Sequence, residues 1–142
     1  MQDSGIRIVL DTNILIAAAF ARSPYVEEII NLALTGHVRI IISPFILKEL
    51  QRKLVDKFRY EEPQVMKFIE GVKKVGTLVS DTATVTTRPA NPQDYPIIAT
   101  AVNGKAQLIV TKDRALLRLK KYEEIGIVDP STLRHIFPKF FT

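Results

Sequence analysis

The chain has 142 residues, 20 Lys and Arg against 15 Asp and Glu, a net charge of +5, 46% hydrophobic residues and no cysteine. That length and apolar share suit one folded domain over residues 1–142 and exclude a disordered tail. The missing cysteines exclude disulfides, thiolate zinc sites and cysteine nucleophiles.

The longest apolar run near the start, Ile14 to Phe20, falls well short of the about 20 residues a membrane span needs. It also lacks the features of a secretion signal, so a cytoplasmic protein without a membrane partner is expected. With only His37 and His135 present, neither a His-rich metal site nor a Ser-His-Asp triad is supported. Carboxylates are left to carry any chemistry.

Ile6 to Leu10 (IRIVL) is a short β-branched run that reads as a strand ending at Asp11. Thr12 and Asn13 follow as turn or cap residues, and an Ala-rich helix is predicted to about Arg22. Ser23-Pro24 restarts a helix, whose apolar positions Val26, Ile29, Ile30, Ala33 and Leu34 recur at helical spacing until Gly36. Val38 to Ile42 (VRIII) is a second buried strand, closed by Ser43-Pro44. A helix then runs to about Phe58, with Ile46, Leu47, Leu50, Leu54 and Phe58 on one face.

Another helix is expected from Glu62 to Lys74, and a weaker strand from Thr77 to Ser80. Asp81 to Pro92 reads as loop, with a short strand conceivable at Thr84 to Thr86. Asn91-Pro92 opens a helix through Val102, which Asn103-Gly104 stops. Gln107 to Val110 is a strand followed by Thr111-Lys112-Asp113. A short helix at Ala115 to Leu119, a strand at Gly126 to Val128 and a helix from Pro130 complete the chain. Strands alternate with helices throughout, so the fold class is α/β, a mainly parallel sheet covered on both faces.

In such a sheet, ligands bind beyond the carboxyl ends of the strands. Asp11 directly follows the first strand, Glu49 lies early in the helix after the second, Asp94 early in the helix after the third, and Asp113 just past the fourth. All four therefore belong to one sheet edge. At about 100° per residue, Ile98 and Ala101 fall within about 40° of Asp94, so this acid points into an apolar arc. Glu49 lies on the shoulder of its own helix's arc. A buried carboxylate is costly unless paired or bound to a metal.

Each acid also has a plain local use. Asp11 can shape a turn, Asp94 can sit at a helix start where the dipole favours it, Glu49 can pair with Lys53, and Asp113 can cap the next helix. What argues beyond these uses is that all four share one edge. Two carboxylates ~5 Å apart repel by about 3 kcal/mol at an effective dielectric of 20. A group of four calls for a cation. Oxygen donors without His or Cys suit Mg²⁺ or Mn²⁺, and such an ion beside Lys and Arg suits attack on a phosphodiester.

The basic residues are unevenly spread. Lys105, Lys112, Arg114, Arg118, Lys120 and Lys121 surround the single acid Asp113, a local excess equal to the charge of the whole chain. Lys53, Lys112, Arg114 and Arg118 are the candidate nucleic-acid contacts. With only Tyr122 close by in sequence, base stacking is not indicated, and salt-sensitive backbone contacts are expected.

The segments IVLDTNILIAA (Ile8 to Ala18), SPFILKEL (Ser43 to Leu50), NPQDYPIIATA (Asn91 to Ala101) and LIVTKDRALL (Leu108 to Leu117) resemble the PIN domain. The closing GIVDPSTLRHIF does so too, and the likeness spans nearly the whole chain. The resemblance implies a three-layer α/β/α sandwich and a ribonuclease dependent on one or two Mg²⁺ or Mn²⁺ ions. Asp11, Glu49, Asp94 and Asp113 match its acidic metal-site positions, and Asn13, Ser43 and Thr111 match supporting polar ones. It further implies a toxin that cleaves RNA, an antitoxin whose C-terminal tail covers the acidic groove, and a homodimer. Asn91 and Gln93 stand where members of that branch often have further acids.

Two other readings compete. A phosphatase with an aspartyl nucleophile would need a second acid two residues past Asp11, and Asn13 cannot donate a proton there. A catalytically weak PIN-like module that binds RNA or protein is the stronger rival.

Overall fold

The computed structural model describes residues 5–19, 24–82 and 92–136. Six strands form one sheet: β1 (Ile6–Leu10), β2 (Val38–Ile42), β3 (Gly76–Leu78), β4 (Leu108–Val110), β5 (Lys121–Tyr122) and β6 (Ile125–Val128). Their order is β3-β2-β1-β4-β6-β5, with every pairing parallel except β5 against β6. Helices α1 (Thr12–Ala19) and α2 (Pro24–Leu34) link β1 to β2, and α3 (Pro44–Asp56) and α4 (Glu62–Val75) link β2 to β3. Helix α5 (Tyr95–Asn103) leads into β4, α6 (Arg114–Leu119) follows it, and α7 (Pro130–Ile136) packs on α2.

The apolar runs form strands because both of their faces are covered. Ile8, Val9, Leu10, Ile40, Ile41, Ile42, Ile109 and Val110 are all buried, without the in-and-out alternation of a half-solvated sheet. The crossovers β1→β2 and β2→β3 step one way along the sheet, whereas β3→β4 steps back past both. With right-handed connections, α5 therefore covers the face opposite α1 to α4. Alternation along β2 agrees with this arrangement. Ile40 lines a hollow with Leu15, Ile30 and Phe68 from α1, α2 and α4, while Ile41 lies against Gly104 at the end of α5. A Cβ on Gly104 would collide with the Ile41 side chain, so this position has no room for anything larger than glycine.

Most of the expected elements appear at or near the expected bounds, and the conceivable strand at Thr84 to Thr86 lies outside the described residues. One start differs. The segment expected to open an α-helix at Pro92 forms instead a 3-10 turn, Pro92–Asp94, ahead of α5. Pro96 has no N–H to give to the Pro92 carbonyl, and its ring opposes that carbonyl, so the first α-helical turn cannot close. Asp94 consequently ends the turn with φ −83° and ψ −12°, and its side chain makes no capping bond to α5.

Reversal of strand order between β1 and β4 fixes the place of the site. From β1 the chain leaves toward β2, and from β4 it leaves toward β6, so their carboxyl ends open a crevice at the topological switch point.

Candidate active site

Asp11 and Asp113 stand at the two sides of this crevice. The Asp11 backbone N–H donates to the Val110 carbonyl at 2.9 Å, extending the β1–β4 ladder by one residue. Its carboxylate is held from both sides: the Thr12 N–H donates to Oδ1 at 2.8 Å, and the Thr111 hydroxyl donates to Oδ2 at 2.7 Å. The Asp113 N–H in turn donates to Thr111 Oγ1 at 3.0 Å. Thr111 is fully buried, so this hydroxyl is a dry bridge between the two acid-bearing loops. Asp113 also caps α6, accepting the Ala115 N–H at 2.9 Å. The local uses of Asp11 and Asp113 are thus real, and they orient the same carboxylates toward the crevice.

Asp94 arrives from the other wall. It is 6% exposed, as its place on the apolar arc required, and it lines the same pocket. This pocket of about 390 Å³ gathers Asp11, Asp94 and Asp113 with Lys53, Lys112, Asn13 and Gln93, over an apolar floor of Phe45, Ile97 and Leu116. Sequence reasoning passed over Phe45. Its signal is its place one residue after the Ser43-Pro44 helix start, which faces the same sheet edge.

Glu49 is placed differently from the other three acids. It does not line the pocket, and its two oxygens accept from Arg52 Nη2 at 3.0 and 3.1 Å. Lys53 Nζ lies 3.9 Å from Glu49 Oε1 and donates to Asn13 Oδ1 at 3.2 Å. The i,i+3 and i,i+4 partners on its own helix take up this carboxylate. Its hydrogen bond, and secondarily its charge, raise Arg52 above the ordinary guanidinium value. Among the described residues, no three His, Cys, Asp or Glu side chains stand close enough together to hold a metal ion as placed.

Ser43 is not at the pocket surface. Fully buried, it caps α3 by accepting the Ile46 N–H at 3.4 Å, and it meets the Thr100 hydroxyl of α5 at 2.8 Å. A second cap comes from Asp81, whose Oδ2 accepts the Phe45 N–H at 2.7 Å.

The basic stretch does not form one patch. Lys112 and Arg114 lie at the carboxyl end of β4, beside the acids, with Arg118 exposed farther along α6. Lys105 precedes β4, and Lys121 pairs through Gly126 with Leu108 at the start of that strand, so both sit at the opposite edge. Of the four candidate nucleic-acid contacts, Lys53 and Lys112 line the pocket, whereas Arg114 and Arg118 are exposed residues that do not.

A family model described as PIN domain matches residues 7–115, from the first strand through the start of α6. The chain belongs to the PIN domain family. A solved structure of similar fold is a chain of the "Crystal structure of VapBC2 from Rickettsia felis bound to a DNA fragment from their promoter". It superposes with a TM-score of 0.63 at 18% identity, covering 86% of this chain and 97% of that one. At that identity the likeness is one of fold. None of the curated proteins compared matches the chain in sequence. The family match takes in the PIN strands β1, β2 and β4 and the loops bearing Asp11, Asp94 and Asp113.

Proposed function

We propose that this PIN domain is a divalent-metal-dependent ribonuclease, with Asp11, Asp94 and Asp113 as its metal-holding carboxylates. The observation that carries this reading is their shared pocket at the switch point, rimmed by Lys53 and Lys112. The donor set fits the ion. Three carboxylates without imidazole or thiol suit Mg²⁺ or Mn²⁺, and each Asp11 oxygen accepts one described hydrogen bond, leaving further lone-pair capacity. When bound, one or two such ions supply neutralising charge and a more acidic water.

The remaining groups bind and orient. Lys53 and Lys112 meet phosphate oxygens at the rim, and Asn13 fixes the Lys53 ammonium. Glu49, which is matched to a metal-site position by resemblance, is assigned instead to holding Lys53 and Arg52 in place. Water attacks phosphorus in line, the bond to the 3′ oxygen breaks and that oxygen takes the proton, leaving a 5′-phosphate and a 3′-hydroxyl.

This reading extends to a cytoplasmic toxin restrained by a protein antitoxin and assembled as a homodimer. The fold likeness to a VapBC2 chain supports the antitoxin part.

One comparison tests the enzyme. Asp11→Asn should abolish metal-dependent RNA cleavage while leaving binding in low salt largely intact. Equal cleavage by both proteins, or full activity in excess EDTA, overturns the proposal. Salt-sensitive binding without metal-dependent turnover identifies a binding module instead.

A further inference from the structure

The two walls of the acid pocket come from different helices. Helix α3 supplies Phe45 and Lys53, and the turn into α5 supplies Asp94 and Ile97. Helices α3 and α5 lie on opposite faces of the sheet and meet at its carboxyl edge, so no broad helix-on-helix face fixes one against the other. A hydroxyl pair does. Thr100 Oγ1 lies 2.8 Å from Ser43 Oγ and 2.6 Å from the Pro96 carbonyl oxygen. Thr100 Oγ1 is the donor in both contacts, so its single proton is shared between Ser43 Oγ and the Pro96 carbonyl oxygen. Ser43 Oγ also accepts the Ile46 N–H.

The Thr100 hydroxyl thereby ties the Ser43 cap of α3 to the first turn of α5, two residues past Asp94. Ser43 and Thr100 are both 0% exposed, so water cannot replace either hydroxyl.

We propose that Thr100 is a positioning residue for this site: through Ser43 it sets the Asp94 wall against the α3 wall and so tunes the pocket for its ion. Thr100 touches neither substrate nor ion, and the inference rests on the nuclease reading above.

The test compares Thr100→Val, which keeps the shape, with Thr100→Ser, which keeps the hydroxyl. Mn²⁺ binding is followed by calorimetry and RNA cleavage by kcat. Thr100→Val should weaken Mn²⁺ binding about ten-fold or more and lower kcat in step, the scale seen when partners of metal ligands are removed. Thr100→Ser should restore both to within about three-fold of wild type. Ser43→Ala removes the other half of the pair and should behave like Thr100→Val; it decides the matter if the valine protein does not fold.

A folded Thr100→Val protein with wild-type Mn²⁺ affinity overturns the inference. So does a serine variant as impaired as the valine one, since the methyl group would then be what matters. Wild-type protein that binds no Mn²⁺ and cleaves no RNA defeats the nuclease reading itself, and this inference with it.

Discussion

Thr111 gives its hydroxyl proton to Asp11 across 2.7 Å, although the two residues lie 100 positions apart in the chain. The same oxygen receives the Asp113 N–H. One buried side chain thereby sets the orientation of one acid and the backbone of another. Replacing it with valine preserves the volume but strands a carboxylate oxygen and an amide.

Thr111→Val should therefore destabilise the fold by about 2 kcal/mol, the scale of a hydrogen bond to a charged group. Urea unfolding measures this, and Thr111→Ser should recover most of the loss. If valine costs nothing, the bridge has no energetic weight.

The metal-holding role proposed for Asp11, Asp94 and Asp113 links ion binding to folding. Mg²⁺ at ten times its dissociation constant should stabilise the folded chain by about 1.4 kcal/mol. In a thermal melt that is a rise of a few degrees. Asp11→Asn should show a much smaller rise, and a wild-type melting temperature indifferent to Mg²⁺ would contradict the assignment.

The split of the basic stretch across two sheet edges can be read by salt titration. Each lysine contacting a single-stranded backbone adds about 0.7 to the slope of log affinity against log salt. Removing Lys53 and Lys112 together should flatten the slope by about 1.4, whereas Lys105→Ala should leave it unchanged. A loss of slope in the Lys105 variant would place the nucleic acid elsewhere.

Gly104 allows α5 to end against Ile41. Gly104→Ala forces the added methyl into the Ile41 side chain, and overpacking of this kind costs about 1–3 kcal/mol. Pairing with Ile41→Ala, which removes the Cγ2 that the methyl would meet, should make the two changes less than additive, which a double-mutant cycle in urea would show.

The strands were legible because β1, β2 and β4 are short aliphatic runs, broken only by Arg7 and Arg39 near their starts and closed by Asp11, Ser43 and Thr111, a pattern that needs no tertiary context. By contrast, β5 was not legible. Two residues cannot display a period, and Tyr122 is buried within a run of charged neighbours by a turn in which Lys120 and Glu123 adopt positive φ. The placement of Asp11, Asp94 and Asp113 together followed from strand order alone. The separation of Glu49 did not, because a rotamer choice between Arg52 and the pocket leaves no trace in spacing. Nor did the Ser43–Thr100 contact, which joins residues of two helices 57 positions apart.

Strand order has a consequence in time. The β1 strand is translated about a hundred residues before its neighbour β4. Until residues 108–113 are translated and dock beside β1, Asp11 has neither Thr111 nor Asp113 for company. A ribosome that has made β1 but not β4 thus carries a nascent chain whose acid pocket does not yet exist.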